Sequence, residues 1–387
     1  MSASPRSRRA ISMQAENRSG RARYVMIGGF LGAGKTTSIL KFAQWLTERG
    51  LRVGLVTNDQ GGSLVDTALA SARQLPVEEI VGGCFCCRFN SLVEAADALV
   101  GSAAPDVLIA EPVGSCTDLV ATVSLPLEQI YGDRFAVAPV SVVVDPLRAE
   151  RVLGLAQASL SEHVCYIYRK QLEEAEIIVI NKSDLVDADR IDRLREALAE
   201  VAPAARIETC SAREGSGLEP WFEQMLESLS QASAIAEIDY EEYAYGESLL
   251  GWLNAELLIG SSDTDEFDGT TLLLDLMQEI RQTLAAAGHE IAHMKSTLSV
   301  EGDPFELAAA NLVRTDDAPA VSHRLAEPVD IGRMLINLRA EAPPEALQAA
   351  VEQALATIRN RLPCEVVHLE HFRPGKPVPT HRLTDRS

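Results

Sequence analysis

The chain has 387 residues, of which 47% are hydrophobic and 24% charged, and its formal net charge is -21. This length and composition predict a soluble globular protein with two domains. The negative charge argues against nucleic-acid binding, which needs a basic surface, and no apolar run reaches the ~18–20 residues of a membrane span. We therefore expect a cytoplasmic protein that neither binds nucleic acid nor enters a membrane.

The predicted elements begin after a basic, polar segment, residues 1–22, which we interpret as a disordered tail. Residues 23–231 then contain short apolar runs separated by helical stretches. Runs such as Val107–Ala110 and Ile177–Ile180 do not alternate between polar and apolar residues, so both faces of these strands are expected to be buried. This pattern predicts an α/β domain with a doubly wound, mainly parallel sheet.

A glycine-rich segment lies between the first predicted strand, Tyr24–Ile27, and the first predicted helix, Thr36–Arg49. Its sequence, Gly29-Phe-Leu-Gly-Ala-Gly-Lys-Thr, matches the phosphate-binding P-loop motif G-x₄-G-K-[ST] in the strand–loop–helix context that the motif requires. In such a loop the lysine reaches the β- and γ-phosphates and the following hydroxyl coordinates Mg²⁺. The motif therefore predicts the P-loop NTPase fold. The nucleotide-binding residues predicted here are Gly29, Gly32, Ala33, Gly34, Lys35, Thr36 and Thr37.

The segment Asn181-Lys-Ser-Asp184 directly follows the strand Ile177–Ile180, where loops of an open α/β sheet meet ligands. The carboxylate of Asp184 can accept hydrogen bonds from N1–H and N2–H₂ of guanine, a donor pair that adenine lacks. The segment therefore predicts GTP as the nucleotide, with Asn181 bracing the loops and the stem of Lys182 along the base. The loop expected beneath the base contains Ser211 and Ala212.

Two acidic residues are candidates for binding Mg²⁺ and positioning water. Glu111 follows the strand that ends at Ala110, where a metal-side carboxylate is expected. Asp59 follows the second strand and begins a glycine-rich loop that could move with nucleotide state. Either could instead be a solvated surface acid. Together with Lys35 they form the predicted catalytic set for slow hydrolysis of GTP to GDP and phosphate.

Three cysteines, Cys84, Cys86 and Cys87, lie in one short segment of a chain that has seven in all. In a long chain with an odd number of cysteines, such a cluster indicates metal or redox chemistry rather than a disulfide framework. Thiolates at i and i+2 of an extended backbone point the same way and can share a soft cation, and three of them leave one position of a tetrahedral Zn²⁺ site open. The alternative is that the thiols pack as small apolar groups.

These motifs together resemble those of the CobW-type metallochaperone GTPases, relatives of the urease- and hydrogenase-maturation GTPases. The matching segments are Gly29–Thr37, Gly82-Gly-Cys-Phe-Cys-Cys87, Glu111 after a buried strand, and Val179–Leu185. The resemblance is specific over about residues 24–230. It implies a cytosolic GTPase that binds Zn²⁺, Co²⁺ or a similar transition metal at its C-x-C-C site and delivers it to a client metalloprotein. Hydrolysis would time the release, and homodimers are expected.

The sequence also departs from the family pattern. The loop after the second strand reads Asn58-Asp-Gln-Gly-Gly62 where family members carry Asn-Glu-Phe-Gly-Glu, so one glutamate is absent. The segment Glu111-Pro-Val-Gly114 replaces Glu-(Ser/Thr)-(Ser/Thr)-Gly and is soon followed by Cys116, a candidate fourth thiolate. These departures suggest a different client or metal. Activation of nitrile hydratase, a role of related proteins, is one alternative, and a nucleotide-gated regulatory protein with structural cysteines is another.

Residues 232–248 are polar and acidic and are interpreted as a linker, and residues 249–387 as a smaller α+β domain. The predicted order βαββαβ is that of a ferredoxin-like domain. Within it, His289-Glu-Ile-Ala-His293 matches the zinc-protease motif H-E-x-x-H, which requires a helix. The residues that follow alternate as in a strand, so we interpret both histidines as exposed strand residues. An accessory metal site, or a metalloenzyme built on these histidines, is the alternative.

Overall fold

The computed structural model describes residues 21–58, 65, 75–231, 235–260 and 265–384. Asp59 and the expected tail, except for its last two residues, lie outside them. None of the described helices combines the length and the apolar character needed to cross a bilayer.

A parallel sheet forms the centre of the N-terminal domain, as predicted. Its strands are β1 (Ala22–Gly28), β2 (Val53–Asn58), β3 (Val77–Ile80), β4 (Val107–Glu111), β5 (Phe135–Val137), β6 (Ser141–Val144), β7 (Ile177–Ile180) and β8 (Arg206–Thr209). They lie in the order β3-β2-β4-β1-β6-β7-β8, and β5 pairs with the first half of β1. Described helices of this domain include α1 (Lys35–Thr47), α2 (Phe89–Ala103), α3 (Leu125–Tyr131), α4 (Pro146–Val152), α5 (Glu162–Glu173), α6 (Ala188–Val201) and α7 (Leu218–Glu227).

Helices cover both faces of this sheet. Along β1, Val25 and Ile27 join a hydrophobic cluster with side chains of α1 and α7. The intervening residues, Tyr24 and Met26, join a second cluster with side chains of α2 and α5. Because neighbouring residues of a strand point to opposite faces, an apolar run without alternation is buried on both sides. The doubly wound parallel sheet predicted from these runs and the P-loop NTPase fold predicted from the glycine-rich motif are confirmed.

The C-terminal domain is built on an antiparallel sheet. Its elements are β9 (Leu250–Gly260), α9 (Gly269–Ala286), β10 (Glu290–Val300), β11 (Asp303–Leu312), β12 (Ala320–His323), β13 (Ile331–Glu341), α10 (Pro344–Arg359) and β14 (Cys364–Phe372). Helix α8 (Tyr240–Leu249) precedes β9. The strand order is β12-β11-β10-β13-β9-β14. The part β10-β13-β9-β14 has the arrangement of a ferredoxin-like sheet, to which the hairpin β11–β12 is added at one edge. Buried side chains of α9 and α10 cover one face.

The segment expected as a linker contains a helix, α8 (Tyr240–Leu249). Asp239 caps its start, because the side-chain carboxylate accepts hydrogen bonds from two backbone N–H groups of the first turn. Helix α8 packs closely against α5, since a Cβ atom at Gly246 would lie 2.5 Å from the carbonyl oxygen of His163. The connection between the two sheets is therefore a packed element.

Candidate nucleotide and metal sites

The P-loop follows β1 and adopts backbone angles that favour glycine. Gly29, Gly32 and Gly34 have φ values of 127°, 79° and 97°. A Cβ atom at Gly29 would lie 2.2 Å from the carbonyl oxygen of Val143, and one at Gly34 would lie 2.3 Å from Nδ2 of Asn181. The glycines therefore allow the loop to lie directly against β6 and against the loop that follows β7.

The two polar residues at the start of α1 lie where the phosphates of a nucleotide are expected. Nζ of Lys35 donates a hydrogen bond to the carbonyl oxygen of Gly29 at 2.8 Å. Oγ1 of Thr36 donates to Oε1 of Glu111 at 2.9 Å, and both side chains are buried. Since Glu111 is the last residue of β4, the sheet brings together a hydroxyl and a carboxylate that lie 75 residues apart in the chain.

The residues expected to surround the base are joined by the side chain of Asn181. Its Nδ2 donates to the carbonyl oxygen of Ala33 and its Oδ1 accepts from the N–H of Ala212, both at 2.9 Å. Asp184 and Ala212 line the same cavity, whereas Ser211 is buried and is not among the lining residues. Asn181 thus holds the P-loop, the Asn181–Asp184 segment and the loop at Ala212 in one place.

Lys182 joins this group through a residue that the sequence analysis did not select. Its Nζ donates to the carbonyl oxygen of Gly32 and to Oδ2 of Asp145, both at 2.8 Å. Asp145 is buried, which alone would raise its pKa, but Lys182 and Arg314 together lower that pKa below its usual range. Asp145 directly follows the strand β6 and caps α4, so its place after an apolar run is the local signal that could have identified it.

A cavity of about 680 Å³ contains these groups, and its lining comes from both domains. The C-terminal domain contributes one face of its sheet, including Trp252, His293, Lys295, Asn337 and Arg339. Nζ of Lys295 donates to Oγ1 of Thr36 at 3.0 Å. This wall could not be predicted from the sequence, because the polar face of a strand does not indicate which part of the protein packs against it.

The interpretation of His293 as an exposed strand residue is wrong, because His293 lines this cavity. Burial and the nearby cations Lys295, Lys35 and Lys182 hold its pKa well below the usual value. His289 precedes β10 and is half-buried. Among the described residues, three potential ligands lie close enough together to share one metal ion: Cys84, Cys86 and Cys87. Neither histidine belongs to this group.

The thiols of Cys84, Cys86 and Cys87 lie together just before α2. The Sγ–Sγ separations are 2.7 Å for Cys84 and Cys86, 3.2 Å for Cys84 and Cys87, and 3.7 Å for Cys86 and Cys87. The backbone forms a tight turn, since the N–H of Cys87 donates to the carbonyl oxygen of Cys84 at 3.0 Å. Extended backbone was expected at Cys84 and Cys86, with a local kink at Cys87. The turn brings the third thiol to the other two, which an extended chain would not do.

A fourth thiol lies beside this cluster. Sγ of Cys116 is 4.0 Å from Sγ of Cys86, and Cys116 is buried. The neighbouring thiols of Cys84 and Cys86 lower the pKa of Cys116 to about 6. The pKa of Cys86 is raised, because its thiol hydrogen-bonds with Cys116, Cys84 and Cys87 and is buried. One thiol of the four is therefore readily deprotonated, and a bound cation would favour the loss of the protons from the remaining thiols.

The end of the chain packs over the cysteine turn. The N–H of Val378 donates to Sγ of Cys87 at 3.2 Å, and the N–H of Thr380 donates to the carbonyl oxygen of Cys86 at 2.8 Å. Nε of Arg382 donates to Oδ2 of Asp118 at 2.7 Å, which ties the segment to a residue two positions beyond Cys116. Val378, Thr380 and Arg382 therefore border the metal-binding candidate.

Several solved structures are similar to this chain. One is HypB from Helicobacter pylori in complex with nickel, with 20% identity and a TM-score of 0.40 over 58% of this chain and 94% of that one. Another is Zn(II)-bound YjiA GTPase from E. coli, with 15% identity and a TM-score of 0.36 over 86% of this chain and 99% of that one.

Several zinc chaperones match part of this chain. The zinc chaperone YeiR of Escherichia coli (strain K12) is 31% identical over 162 residues, 41% of this chain and 46% of YeiR. The zinc chaperone CobW of Sinorhizobium sp is 28% identical over 198 residues, 45% of this chain and 54% of that protein. The chain thus spans about half the length of these relatives. Residues 23–209 match the model of the CobW/HypB/UreG nucleotide-binding domain. The N-terminal domain is therefore of the CobW/HypB/UreG nucleotide-binding type.

Proposed function

We propose that this protein is a GTP-hydrolysing metallochaperone, which binds Zn²⁺ or a similar transition metal at its cysteine cluster and delivers it to a client metalloprotein. One observation carries the proposal: a single short segment touches both sites. Glu111 accepts a hydrogen bond from Thr36 of the P-loop, and Cys116, five residues further on, lies 4.0 Å from Cys86. The names of the relatives YeiR and CobW as zinc chaperones support the same function.

The nucleotide site is proposed to bind GTP through the P-loop and Asp184. Lys35, whose Nζ lies 2.8 Å from the carbonyl oxygen of Gly29, would exchange this partner for the β- and γ-phosphates. Thr36 Oγ1 and Glu111 Oε1 are hard oxygen donors 2.9 Å apart, a set that suits Mg²⁺. Bound Mg²⁺ would supply neutralising charge at the phosphates. Asp59, outside the described residues, is retained as the proposed water-positioning group.

The transferred metal is proposed to be held by the thiolates of Cys84, Cys86 and Cys87, with Cys116 as a fourth. In a tetrahedral Zn–thiolate site, Zn–S distances of ~2.3 Å place the sulfur atoms somewhat under 4 Å apart. The separations of 3.7 Å for Cys86 and Cys87 and 4.0 Å for Cys86 and Cys116 are close to this spacing. Cys84 lies nearer, at 2.7 Å from Cys86 and 3.2 Å from Cys87, so its thiolate would move outward by up to about 1 Å on binding. Soft thiolates favour Zn²⁺ over Mg²⁺, so Zn²⁺ would bind at the cysteines and Mg²⁺ at the oxygen ligands of Thr36 and Glu111.

Metal analysis of the purified protein tests this function. We expect one equivalent of Zn²⁺ per chain after loading and desalting, and slow release of phosphate from GTP. The triple variant Cys84→Ser, Cys86→Ser, Cys87→Ser should lose the metal. Cys165→Ser, which changes a buried cysteine outside the cluster, should keep it. Retention of Zn²⁺ by the triple variant, or its loss from a His289→Ala, His293→Ala variant alone, would contradict the assignment.

A further inference from the structure

The C-terminal wall of the nucleotide cavity is positively charged. Lys295 and Arg339 line it, and Arg314 lies beside them. Two cations of the N-terminal domain, Lys35 and Lys182, line the opposite side. This chain has a net charge of -21, so the cluster of cations in this cavity is opposite in sign to the charge of the whole chain. The described lining residues include seven Lys and Arg side chains and three carboxylates, those of Glu111, Asp184 and Asp317. This excess of positive charge makes both walls suited to a nucleoside triphosphate.

Lys295 occupies the most informative position on this wall. Its Nζ lies 3.0 Å from Oγ1 of Thr36, which itself donates to Glu111. In P-loop proteins this hydroxyl holds Mg²⁺ between the β- and γ-phosphates. An ammonium group so close to that hydroxyl is within reach of the terminal phosphate, because a lysine side chain can shift by an ångström or more at little cost.

The position of Lys295 is set by the docking of the two domains. Strand β10 is an inner strand, in which Lys295 pairs with Asn311 on one side and Asn337 on the other. Nη2 of Arg148, a buried residue of α4, donates to the carbonyl oxygen of Ala292 at 3.1 Å. Arg314 forms a buried ion pair with Asp145 at 3.2 Å. These contacts fix the strand against the N-terminal domain, so the backbone that carries Lys295 is held beside the P-loop.

We propose that Lys295 contacts the γ-phosphate of bound GTP, so that the C-terminal domain distinguishes GTP from GDP and contributes a cation to hydrolysis. This proposal rests on the GTPase function proposed above. In hydrolysis, water attacks the γ-phosphorus, the bond from that phosphorus to the β–γ bridging oxygen breaks, and a proton of the water passes to phosphate or solvent as GDP leaves. Negative charge shifts toward the bridging oxygen, where a fixed cation lowers the barrier.

Equilibrium binding of fluorescent GDP and of a non-hydrolysable GTP analogue, both with Mg²⁺, tests the proposal. The Lys295→Met variant should bind the analogue roughly 10- to 100-fold more weakly, as expected for loss of a charged hydrogen bond, and should bind GDP within about twofold of the unmodified protein. Lys295→Arg should retain most of the preference for the triphosphate. The matched control, Lys170→Met, removes a lysine that pairs with Glu173 on α5 and should change neither affinity.

The outcomes separate the two proposals. Unaltered analogue affinity in Lys295→Met, or equal losses for both nucleotides, would overturn the role of Lys295, since the second result is what a structural contact gives. Normal GDP affinity in the same variant reports that the fold is intact. If the unmodified protein bound neither nucleotide, the GTPase function itself would be contradicted.

Discussion

The side-chain amide of Asn58 donates a hydrogen bond to the carbonyl oxygen of Gly83 at 2.7 Å, and so ties the end of β2 to the turn that begins with Cys84. The same amide donates to the carbonyl oxygen of Ile80 at 3.0 Å. Asn58 directly precedes Asp59, which begins the loop expected to respond to the γ-phosphate. Movement of that loop would therefore be transmitted to the cysteine turn through the hydrogen bond to Gly83, while the bond to Ile80 holds the end of β3.

Removal of the P-loop charge is the simplest test of the nucleotide site. Lys35→Ala should abolish GTP hydrolysis and sharply weaken nucleotide binding, because one ammonium group serves two phosphates. Phosphate release and nucleotide titration measure the two effects. Lys170→Ala, on the opposite side of the sheet from α1, should behave as the unmodified protein. A Lys35→Ala variant with normal turnover would mean that the P-loop does not hold the phosphates.

Base specificity depends on Asp184. Asp184→Asn should weaken GTP binding by up to about 3 kcal/mol, since two hydrogen bonds to a carboxylate are lost, and should favour xanthosine triphosphate, whose added carbonyl accepts from an amide. Competition binding with both nucleotides measures the change. Asp189→Asn, at an exposed position of α6, is the control. A preference of the unmodified protein for ATP would be inconsistent with this role.

The fourth thiolate can be tested with Co²⁺ as a spectroscopic probe. Cys116→Ser should lower the intensity of the thiolate-to-metal charge-transfer band by about one quarter, since one of four sulfur ligands is lost from a tetrahedral site. Cys165→Ser should leave the spectrum unchanged. If Cys116→Ser also gave the unmodified spectrum, the metal would be held by Cys84, Cys86 and Cys87 without Cys116.

Burial raises the pKa of Glu174 from 4.5 to about 8, although its carboxylate accepts hydrogen bonds from Thr117 and from the N–H of Val120. The folded state therefore binds this proton more tightly than the unfolded state, and stability falls as the pH rises from about 4.5 to about 8. Glu174→Gln does not titrate, so its melting temperature relative to the unmodified protein should rise over this window. A difference that is constant between pH 5 and pH 8 would contradict the raised pKa.

Local patterns were sufficient to predict much of the fold. The strand Ile177–Ile180 has the same bounds in the sequence prediction and in the structure, and the strand predicted at Val107–Ala110 is one residue longer in the structure. The signal in both is a bounded apolar run without alternation. The short strands β3, β5 and β8 were not predicted, because each has only three or four residues. An apolar run of that length is hard to distinguish from the neighbouring segments.

Contacts between distant parts of the chain could not be predicted. Lys295 and Thr36 are 259 residues apart, and Val378 and Cys87 are 291 residues apart. Each of these contacts depends on how the two domains dock, which a local pattern of apolar and polar residues does not indicate. The cysteine cluster and the P-loop are different, because their residues are close in sequence and their chemistry is specific to the residue types.

The central claim is that nucleotide state controls metal affinity. We would titrate Zn²⁺ into the nucleotide-free, GDP-bound and GTP-analogue-bound protein, with a chelating indicator as competitor, and repeat the titration with Asn58→Ala. The account predicts a difference of about 1–3 kcal/mol, roughly 5- to 150-fold in affinity, between the GDP and GTP-analogue states, and an equal effect of Zn²⁺ on nucleotide affinity. Asn58→Ala should reduce the difference while still binding one equivalent of metal. Equal Zn²⁺ affinities in all three states of the unmodified protein would contradict the account.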